Sequence, residues 1–335
     1  MKISGRKFLV TGGTGFIGSS LVKALVESGA TVRSLDNDSR GSRRRLGKTA
    51  SDVELITGDI RDAGAVMQAA KGMDSICHLA YVNGTEFFYT KPDLVLDVAV
   101  RGMVNVIDAT LGQNVGELVL ASSSEVYQTP PTVPTDETVP LSVPDPLNPR
   151  YSYGGGKIIA ELMALNYGRA HIPRVLVFRP HNAYGIDMGW EHVIPQLAMR
   201  TARLQQAASA KSKKVQLPIQ GTGQERRSFI YIDDLVSGVM KVIEKGEHLG
   251  IYHVGTTDEV TIAELAREIG HALGVEVEVV PGKLQPGGTQ RRCPDITKLR
   301  ALGFAPRTGL REGVETTARW YAEHLDQAPT PDPAK

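Results

Sequence analysis

The first half of the chain alternates short apolar runs with longer stretches of helical periodicity. Strand-like segments begin at Lys7 (KFLVT), Thr31 (TVRSLD) and Asp52 (DVELITGD), and each leads into an amphipathic or polar stretch. Longer helical patterns over Asp93–Leu111 and Tyr153–Ala170 precede the apolar runs ELVLASS and RVLVFRP. Strands that are apolar on both faces are typical of a parallel sheet covered by helices on both sides. The pattern therefore predicts an α/β fold with a doubly wound parallel sheet.

A glycine-rich turn joins the first strand to the first helix. Gly12, Gly15 and Gly18 have a G-x-x-G-x-x-G spacing, and Asp36 ends the second strand about 20 residues later. Glycines let backbone N–H groups approach a pyrophosphate at a helix N-terminus, and an acidic residue at that strand end accepts from the ribose hydroxyls. The sequence therefore predicts a Rossmann-type dinucleotide site in which Asp36 favours NAD over NADP, although the neighbouring arginines weaken that preference. Since no Gly-Lys-Ser/Thr follows, a P-loop nucleotide site is excluded.

The regularity loosens in the second half of the chain. After Arg179, loops and shorter elements indicate a smaller C-terminal α/β lobe that binds substrate. We assign residues 1–180 to a NAD-binding Rossmann domain, to which 233–254 return, and assign residues 181–232 and 255–325 to the lobe. The polar, proline-rich end, residues 326–335, is predicted to be a flexible tail.

Charge and composition exclude several kinds of partner. With 38 basic and 37 acidic residues, the 335-residue chain has a net charge of +1 and no field to attract nucleic acid or an anionic membrane. No apolar run approaches the roughly 18 residues of a membrane-spanning helix. Cys77 and Cys293 form neither a disulfide framework nor a metal-ligand cluster, so no metal is predicted. Without an apolar leader the expected location is the cytoplasm, and the basic run 40–48 is interpreted as a solvated loop.

The strongest chemical signal is a tyrosine and a lysine one helical turn apart. Tyr153 and Lys157 have i, i+4 spacing and share one helix face, a relation that Tyr151 lacks. A nearby cation favours phenolate and lowers the pKa of a tyrosine, which makes the phenol a usable base near neutral pH. The glycines 154–156 between them are costly in a helix but leave room for a flat ring against the backbone. The alternative interpretation is an exposed tyrosine–lysine pair on a surface helix.

A run of serines ends the strand that precedes this helix. Ser123 and Ser124 lie in ASSSEVY, at the carboxyl end of a buried strand, where ligands bind in open parallel sheets. Ser123 can then hydrogen-bond the same substrate oxygen as Tyr153. Serines at a plain strand-to-loop transition are the alternative, but both segments need the same crevice. We therefore predict a catalytic set of Ser123, Tyr153 and Lys157.

Together these motifs resemble the extended short-chain dehydrogenase/reductase family, which comprises nucleotide-sugar epimerases, dehydratases and decarboxylases. The likeness runs from Lys7 to Tyr321. It consists, in order, of TGGTGFIG, the Asp36 strand end, GDIRD, HLA, SSSEVY, YSYGGGK, RPHNAYG, GTGQERRSFIYIDD and RRCPDI. The resemblance implies a nucleotide-diphosphate sugar as substrate and a homodimer built on the two long helical stretches.

The same resemblance assigns roles within the cofactor site. A tightly held NAD takes hydride from a sugar carbon, usually C4, and is restored within one turnover. Tyr153 removes the hydroxyl proton, Lys157 binds the nicotinamide ribose and Ser123 positions the oxygen. Asp59 is expected to contact adenine, or alternatively to cap the next helix. The predicted cofactor contacts are Gly12, Gly15, Phe16, Ile17, Gly18, Asp36, Asp59, Ile60, Leu79, Ala80, Tyr153 and Lys157.

Further residues are expected on the substrate side, in the nucleotide-sugar-binding lobe and the adjoining loops. By resemblance, Asn182, Arg227 and Arg292 reach the phosphate oxygens, and guanidinium groups suit bidentate contacts of that kind. Glu86 and His181 lie near the expected sugar pocket. Their position in the chain predicts contact with the sugar.

The reaction type depends on the residues that follow Ser123. The family's 4,6-dehydratases have Asp-Glu at Ser124 and Glu125, and a serine is a poor general acid. Glu125 either takes a proton from C5 or braces the loop. We predict an NAD-dependent nucleotide-sugar epimerase that acts through transient oxidation at C4. The alternatives are an NDP-uronic acid decarboxylase or NDP-sugar dehydratase that uses Glu125 at C5, and a non-catalytic NAD-binding scaffold.

Overall fold

Seven strands form one parallel sheet in the computed structural model, which describes residues 1–207, 213–283 and 288–328. They are β1 (Lys7–Thr11), β2 (Thr31–Asp36), β3 (Val53–Thr57), β4 (Ser75–His78), β5 (Glu117–Ala121), β6 (Arg174–Pro180) and, after four short strands of the lobe, β11 (Gly250–Val254). The spatial order is β3-β2-β1-β4-β5-β6-β11, and every pair is parallel. The predicted α/β Rossmann fold is confirmed.

The described part of the chain forms ten α-helices, several of which cover both faces of this sheet. They are α1 (Phe16–Glu27), α2 (Ala63–Ala70), α3 (Thr85–Thr90), α4 (Pro92–Gly112), α5 (Ser152–Ala170), α6 (Val193–Ala207), α7 (Ile232–Lys245), α8 (Ile262–Ala272), α9 (Thr297–Ala301) and α10 (Leu310–Glu323). Phe8 and Val10 of β1 pack with apolar residues of α1 and α7, whereas Leu9 packs with those of α2, α4 and α5. Successive side chains of a strand point to opposite faces, so a strand covered on both sides must be apolar throughout.

The lobe is built from short strands and three packed helices. Its strands are β7 (Ala183–Tyr184), β8 (Lys214–Pro218), β9 (Arg226–Ser228), β10 (Ile230–Tyr231), β12 (Glu259–Thr261), β13 (Glu276–Val280) and β14 (Arg291–Arg292). They form the pairs β7–β10 and β8–β13 and the triplet β12-β9-β14. Helices α6, α8 and α10 enclose a separate apolar core with β8 and β13. The strand β11 pairs with β6 along its whole length, so Gly250–Val254 belongs to the main sheet; the domain limits drawn from the sequence stay a prediction.

One local expectation was wrong. The run 40–48 is not simply a solvated loop, because Arg45 is largely buried and donates to the carbonyl oxygens of Thr14 (3.3 Å) and Arg40 (3.0 Å) and to Asp187. Those acceptors offset the cost of burying its charge. The flexible tail over 326–335 stays a prediction: its first residues overlap a 3₁₀ turn, Leu325–Gln327, and residues 329–335 lie outside the described part of the chain.

Within the described ranges, the structure contains no helix with the length and apolar character that a bilayer crossing needs. Among the same residues, no group of three His, Cys, Asp or Glu side chains is placed to hold a metal ion.

Candidate active site

A cleft lies at the carboxyl ends of β1, β4, β5 and β6, between the sheet and the lobe. Its wall includes residues at the ends of these strands or just after them: Gly12, Leu79, Ala121, Ser123 and Asn182. A second pocket continues from it past the end of β2. This is where the strand order reverses, because β1 is flanked by β2 on one side and β4 on the other. Ligands of open α/β sheets bind at such a point.

The glycine turn has no room for side chains. Gly12 has φ +74°, and a Cβ there would lie 2.7 Å from the backbone nitrogen of Ala80. A Cβ on Gly18 would lie 1.9 Å from the carbonyl oxygen of Gly12. Gly15, which precedes α1, supplies no side-chain cap, so the first N–H groups of the helix stay available. A close-fitting turn at an uncapped helix N-terminus fits a dinucleotide pyrophosphate.

Asp36 stands at the edge of the adjoining pocket, at the end of β2. Its carboxylate accepts from two backbone N–H groups, both at 3.0 Å. The arginines that follow have acidic partners of their own, Arg43 with Asp38 at 3.3 Å and Arg40 with Glu191 at 3.1 Å. Their charges are therefore partly neutralised, which favours NAD, with its free ribose hydroxyls, over NADP.

Asp59 lines the same pocket and is held by Arg61, which donates to both carboxylate oxygens at 2.8 and 3.0 Å. These hydrogen bonds lower the pKa of Asp59 to about 2 against the effect of burial. Asp59 Oδ1 also accepts from the backbone N–H of Arg61 at 2.9 Å, so Asp59 caps the turn that leads into α2 but not α2 itself. Asp62 is the N-cap of α2 and accepts from the backbone N–H of Ala65 at 3.1 Å. The other predicted contacts on this side, Ile60, Leu79 and Ala80, also line the pocket.

Ser123, Tyr153 and Lys157 meet in the main cleft. Tyr153 is 7% exposed and Lys157 4%, so an exposed surface pair is excluded. The Lys157 ammonium donates to the carbonyl oxygen of Ala121 at 2.7 Å and lies 5.9 Å from the centre of the Tyr153 ring. The phenol is hydrogen-bonded by Ser123. A hydroxyl and a phenol are therefore available to one substrate oxygen, and an ammonium group lies in the same cleft.

The pKa values of Tyr153 and Lys157 differ from those expected from the sequence. Burial raises the pKa of Tyr153 to about 12, although the hydrogen bond from Ser123 acts in the opposite direction. The expected lowering by Lys157 is not seen because the ammonium is turned to the Ala121 carbonyl. Burial also lowers the pKa of Lys157 to about 7. In the chain alone, Lys157 loses its charge as the pH rises through this value while Tyr153 stays protonated.

Aromatic side chains enclose Tyr153, which the sequence analysis missed. Phe88 in α3 stacks on its ring with centroids 4.8 Å apart, and Tyr81 meets it edge-on at 5.1 Å. The Tyr81 ring also lies 3.9 Å from the Lys157 ammonium. The aromatic run FFY after β4 is visible in the sequence, but which of its rings contacts Tyr153 depends on the tertiary structure.

The glycines between Tyr153 and Lys157 make a testable pair. Gly156→Ala is expected to destabilise the protein by about 2 kcal/mol, because its Cβ would lie 2.2 Å from Tyr81 Oη and 2.7 Å from Ala99 Cβ. Gly155→Ala is the matched control. Its Cβ would make an ordinary contact, 3.7 Å from Val143 Cγ2, and we expect a gain of about 1 kcal/mol. Urea unfolding measures both, and equal stabilities would contradict the proposed close packing.

Glu125 reaches the cleft as a carboxylate held by arginines. Arg292 of β14 donates to its Oε1 at 2.7 Å, and Arg150 lies 4.0 Å from Oε2. Burial opposes ionisation, but these cations outweigh it and the pKa of Glu125 is lowered. Ser124, beside it, is buried in the cleft wall. The ion pair of Glu125 with Arg292 thus links the end of β5 to the lobe. The position of Glu125 is compatible with both predicted roles, as a base at C5 and as a brace of the loop.

The substrate-side predictions divide into two groups. Asn182 and Arg292 line the cleft, but the structure does not bring Arg227, His181 or Glu86 to its surface. Arg227 donates to three backbone carbonyl oxygens at positions 226, 289 and 290, which fixes its guanidinium within the lobe. His181 is buried with its ring 4.7 Å from that of His253. Glu86 is exposed on α3.

Two residues of the cleft wall, Arg40 and Arg45 of the basic run, were not anticipated there. The wall also includes residues of the loops that follow β4 and β6: Tyr81, Asn83, Phe88, Met188, Gly189 and His192. Burial lowers the pKa of His192.

Comparison with known proteins points to one family. Residues 8–255 match the model described as the NAD dependent epimerase/dehydratase family. A dTDP-4-dehydro-6-deoxy-D-allose reductase of Streptomyces bikiniensis is 31% identical over 96% of this chain and 98% of its own length. UDP-glucuronic acid decarboxylase 6 of Arabidopsis thaliana is 33% identical over 93% and 87%. The crystal structure of the UDP-glucose 4-epimerase of Thermus thermophilus, a complex with NAD, superposes with a TM-score of 0.81 at 27% identity, covering 94% of this chain and 98% of that one.

Proposed function

This chain belongs to the NAD dependent epimerase/dehydratase family, and we propose that it is a nucleotide-sugar epimerase that oxidises C4 of its substrate transiently. The resemblance to extended short-chain dehydrogenases/reductases is confirmed, and so is NAD as the cofactor. The chain is an enzyme of this family, which leaves the scaffold alternative without support. Its relatives include a reductase and a decarboxylase, so membership of the family is compatible with more than one reaction.

One observation carries the proposal. Ser123, Tyr153 and Lys157 share the cleft with no acidic side chain at Ser124, and Glu125 is ion-paired with Arg292 at 2.7 Å. Oxidation and reduction at C4 need only the first three residues. Elimination or loss of CO2 needs a further acid or base near C5–C6, and the ion pair makes Glu125 a weaker base.

The chain's residues divide the proton work in this mechanism. NAD, when bound along the glycine turn, accepts a hydride and later returns it, and its positive charge favours the phenolate of Tyr153. Tyr153 Oη takes the proton of the C4 hydroxyl as hydride leaves C4, and Ser123 Oγ donates to the same oxygen. Return of hydride to the opposite face and of the proton from Tyr153 gives the C4 epimer, so no atom is gained or lost. Lys157 holds the cofactor ribose.

A second candidate reaction has one supporting observation. Glu125 is a carboxylate in the cleft wall, close to the residues that contact C4 in the proposal. If substrate anions draw Arg292 away, Glu125 becomes free to take the C5 proton of the 4-keto sugar, and water is then lost across C5–C6. With an NDP-uronic acid, the C5–C6 bond of the 4-keto intermediate breaks instead, CO2 leaves, and C5 takes up a proton from solvent by way of Glu125.

One assay separates these reactions. The purified protein is incubated in deuterated water with UDP- and dTDP-hexoses and UDP-glucuronic acid, and products are followed by NMR. We expect C4 epimers without deuterium at C5 and without CO2. A keto product carrying deuterium at C5, or released CO2, would instead establish the second candidate.

We further propose that the protein is a homodimer. The packed helices α4 and α5 expose five apolar side chains: Leu96, Val104, Ile159, Leu162 and Tyr167. A shared apolar stripe on two adjacent helices is typical of a helical interface. Sedimentation is expected to give twice 36.2 kDa, and Leu162→Glu to give the 36.2 kDa monomer with NAD retained. A monomeric wild type would refute the interface.

A further inference from the structure

Three polar side chains of α5, each four residues from the next, are bonded to three consecutive residues at the end of β5. Tyr153 is bonded to Ser123, and Lys157 to the carbonyl oxygen of Ala121. The third link is a hydrogen bond from the hydroxyl of Ser122 to Glu161. An i, i+4, i+8 series lies along one helix face, so these bonds fix the strand end against the helix in one register. The first two links belong to the proposed reaction, and the third has no assigned role.

Glu161 makes this third link from a buried position. Its side chain is 2% exposed, and Arg179, at the end of β6, is equally buried and donates to it at 2.8 and 2.5 Å. It does not line the cleft, so it is not placed to touch substrate or cofactor. Ser122 does lie in the cleft wall, beside Ser123. Glu161 is thus one hydrogen bond away from the backbone that carries a proposed catalytic residue.

The charge of Glu161 also faces Lys157 one turn away. Burial lowers the pKa of Lys157, and Glu161 is the group whose charge acts in the opposite direction. The other titratable groups around Lys157 are Tyr153, Tyr81 and His78. Burial raises the pKa of both tyrosines and lowers that of His78 to about 3, so all three are neutral near pH 7. Glu161 is therefore the anion that favours a charged lysine.

We propose that Glu161 is a positioning residue of the active site: through Ser122 it fixes the end of β5 against α5, and its charge favours the ammonium form of Lys157. The catalytic meaning of this arrangement rests on the proposed function. The geometry and the charge state of Lys157 are measurable without it.

The same chain contains a matched control at the opposite end of β5. Glu117 is also buried, accepts from the hydroxyl of Ser75 at 2.7 Å, and is paired with Arg174 and with Arg6 at 2.9 Å. Glu117 and Ser75 thus reproduce the chemistry of Glu161 and Ser122, but lie away from the cleft. Substitutions of Glu117 or Ser75 therefore show how disturbing a buried ion pair on β5 affects the protein when the cleft residues are unchanged.

The first experiment measures the charge of Lys157. The full-length protein is labelled with ¹³C at lysine Cε, and the Lys157 resonance is assigned from its loss in Lys157→Arg. We expect the titration midpoint to fall by about one pH unit in Glu161→Gln, to recover in Glu161→Asp, and to stay unchanged in Glu117→Gln. An unchanged midpoint in folded Glu161→Gln, or an equal shift in Glu117→Gln, would overturn the proposal.

The second experiment tests the hydrogen bond between Ser122 and Glu161 and leaves the Arg179–Glu161 ion pair intact. It therefore tests the positioning role even if Glu161→Gln does not fold. Ser122→Ala is expected to lower kcat about tenfold with KM and NAD content unchanged, because the position of Ser123 loosens. Ser75→Ala is expected to match the wild type. Equal kcat values for the two variants would refute the link. A wild type without turnover on any sugar of the panel would instead contradict the proposed function and leave the lysine titration valid.

Discussion

Tyr153→Phe is expected to lower kcat by about 10³-fold while the protein stays folded and retains NAD. The substitution removes only the phenolic oxygen, the group that the proposed mechanism uses for proton transfer at C4. The ring, stacked on Phe88 at 4.8 Å and met edge-on by Tyr81, keeps its apolar contacts. The effect should therefore appear in kcat and not in stability.

The measurement is a steady-state assay on the substrate found in the NMR panel, with bound NAD quantified after denaturation. Tyr151→Phe is the matched control, since Tyr151 precedes the same helix but does not line the cleft. We expect it to match the wild type. Turnover of Tyr153→Phe within a few-fold of the wild type would remove the phenol from the mechanism.

Gly18→Ala is expected to weaken NAD binding by about 100-fold or more. The added Cβ would lie 1.9 Å from the carbonyl oxygen of Gly12 and 3.0 Å from the Cα of Gly13, so the turn itself must move. The backbone that would hold the pyrophosphate is displaced by this movement. The contacting atoms belong to the backbone of Gly12 and Gly13, so no flexible side chain can move aside to relieve the clash.

Isothermal titration with NAD on cofactor-stripped protein measures this loss, and thermal unfolding checks that the variant folds. Gly155→Ala provides the control, because it also adds a methyl group to a helical glycine but makes an ordinary contact at 3.7 Å. It should bind NAD as the wild type does. Tight NAD binding by Gly18→Ala would show that the turn does not form the pyrophosphate site.

Part of the candidate site was accessible from the sequence because its signals are local. The glycine turn lies between a strand and a helix, and Tyr153 and Lys157 are one helical turn apart, so backbone geometry alone brings each group together. Predictions for Arg227 and His181 instead relied on family position. In the structure, the Arg227 guanidinium is held by backbone carbonyls of the lobe, and His181 is buried against His253.

The sequence by itself determined the parallel sheet, the dinucleotide turn and the Tyr153–Lys157 pair. Each depends on short apolar runs that alternate with helical stretches, on a helical period of about 3.6 residues, or on a turn whose backbone only glycine adopts without strain. Only the tertiary structure decided that Phe88 stacks on Tyr153 and that Arg292, 167 residues away in sequence, neutralises Glu125. It also decided which buried charges face Lys157. Contacts of this kind depend on how distant segments pack, and no local pattern of the chain specifies that packing.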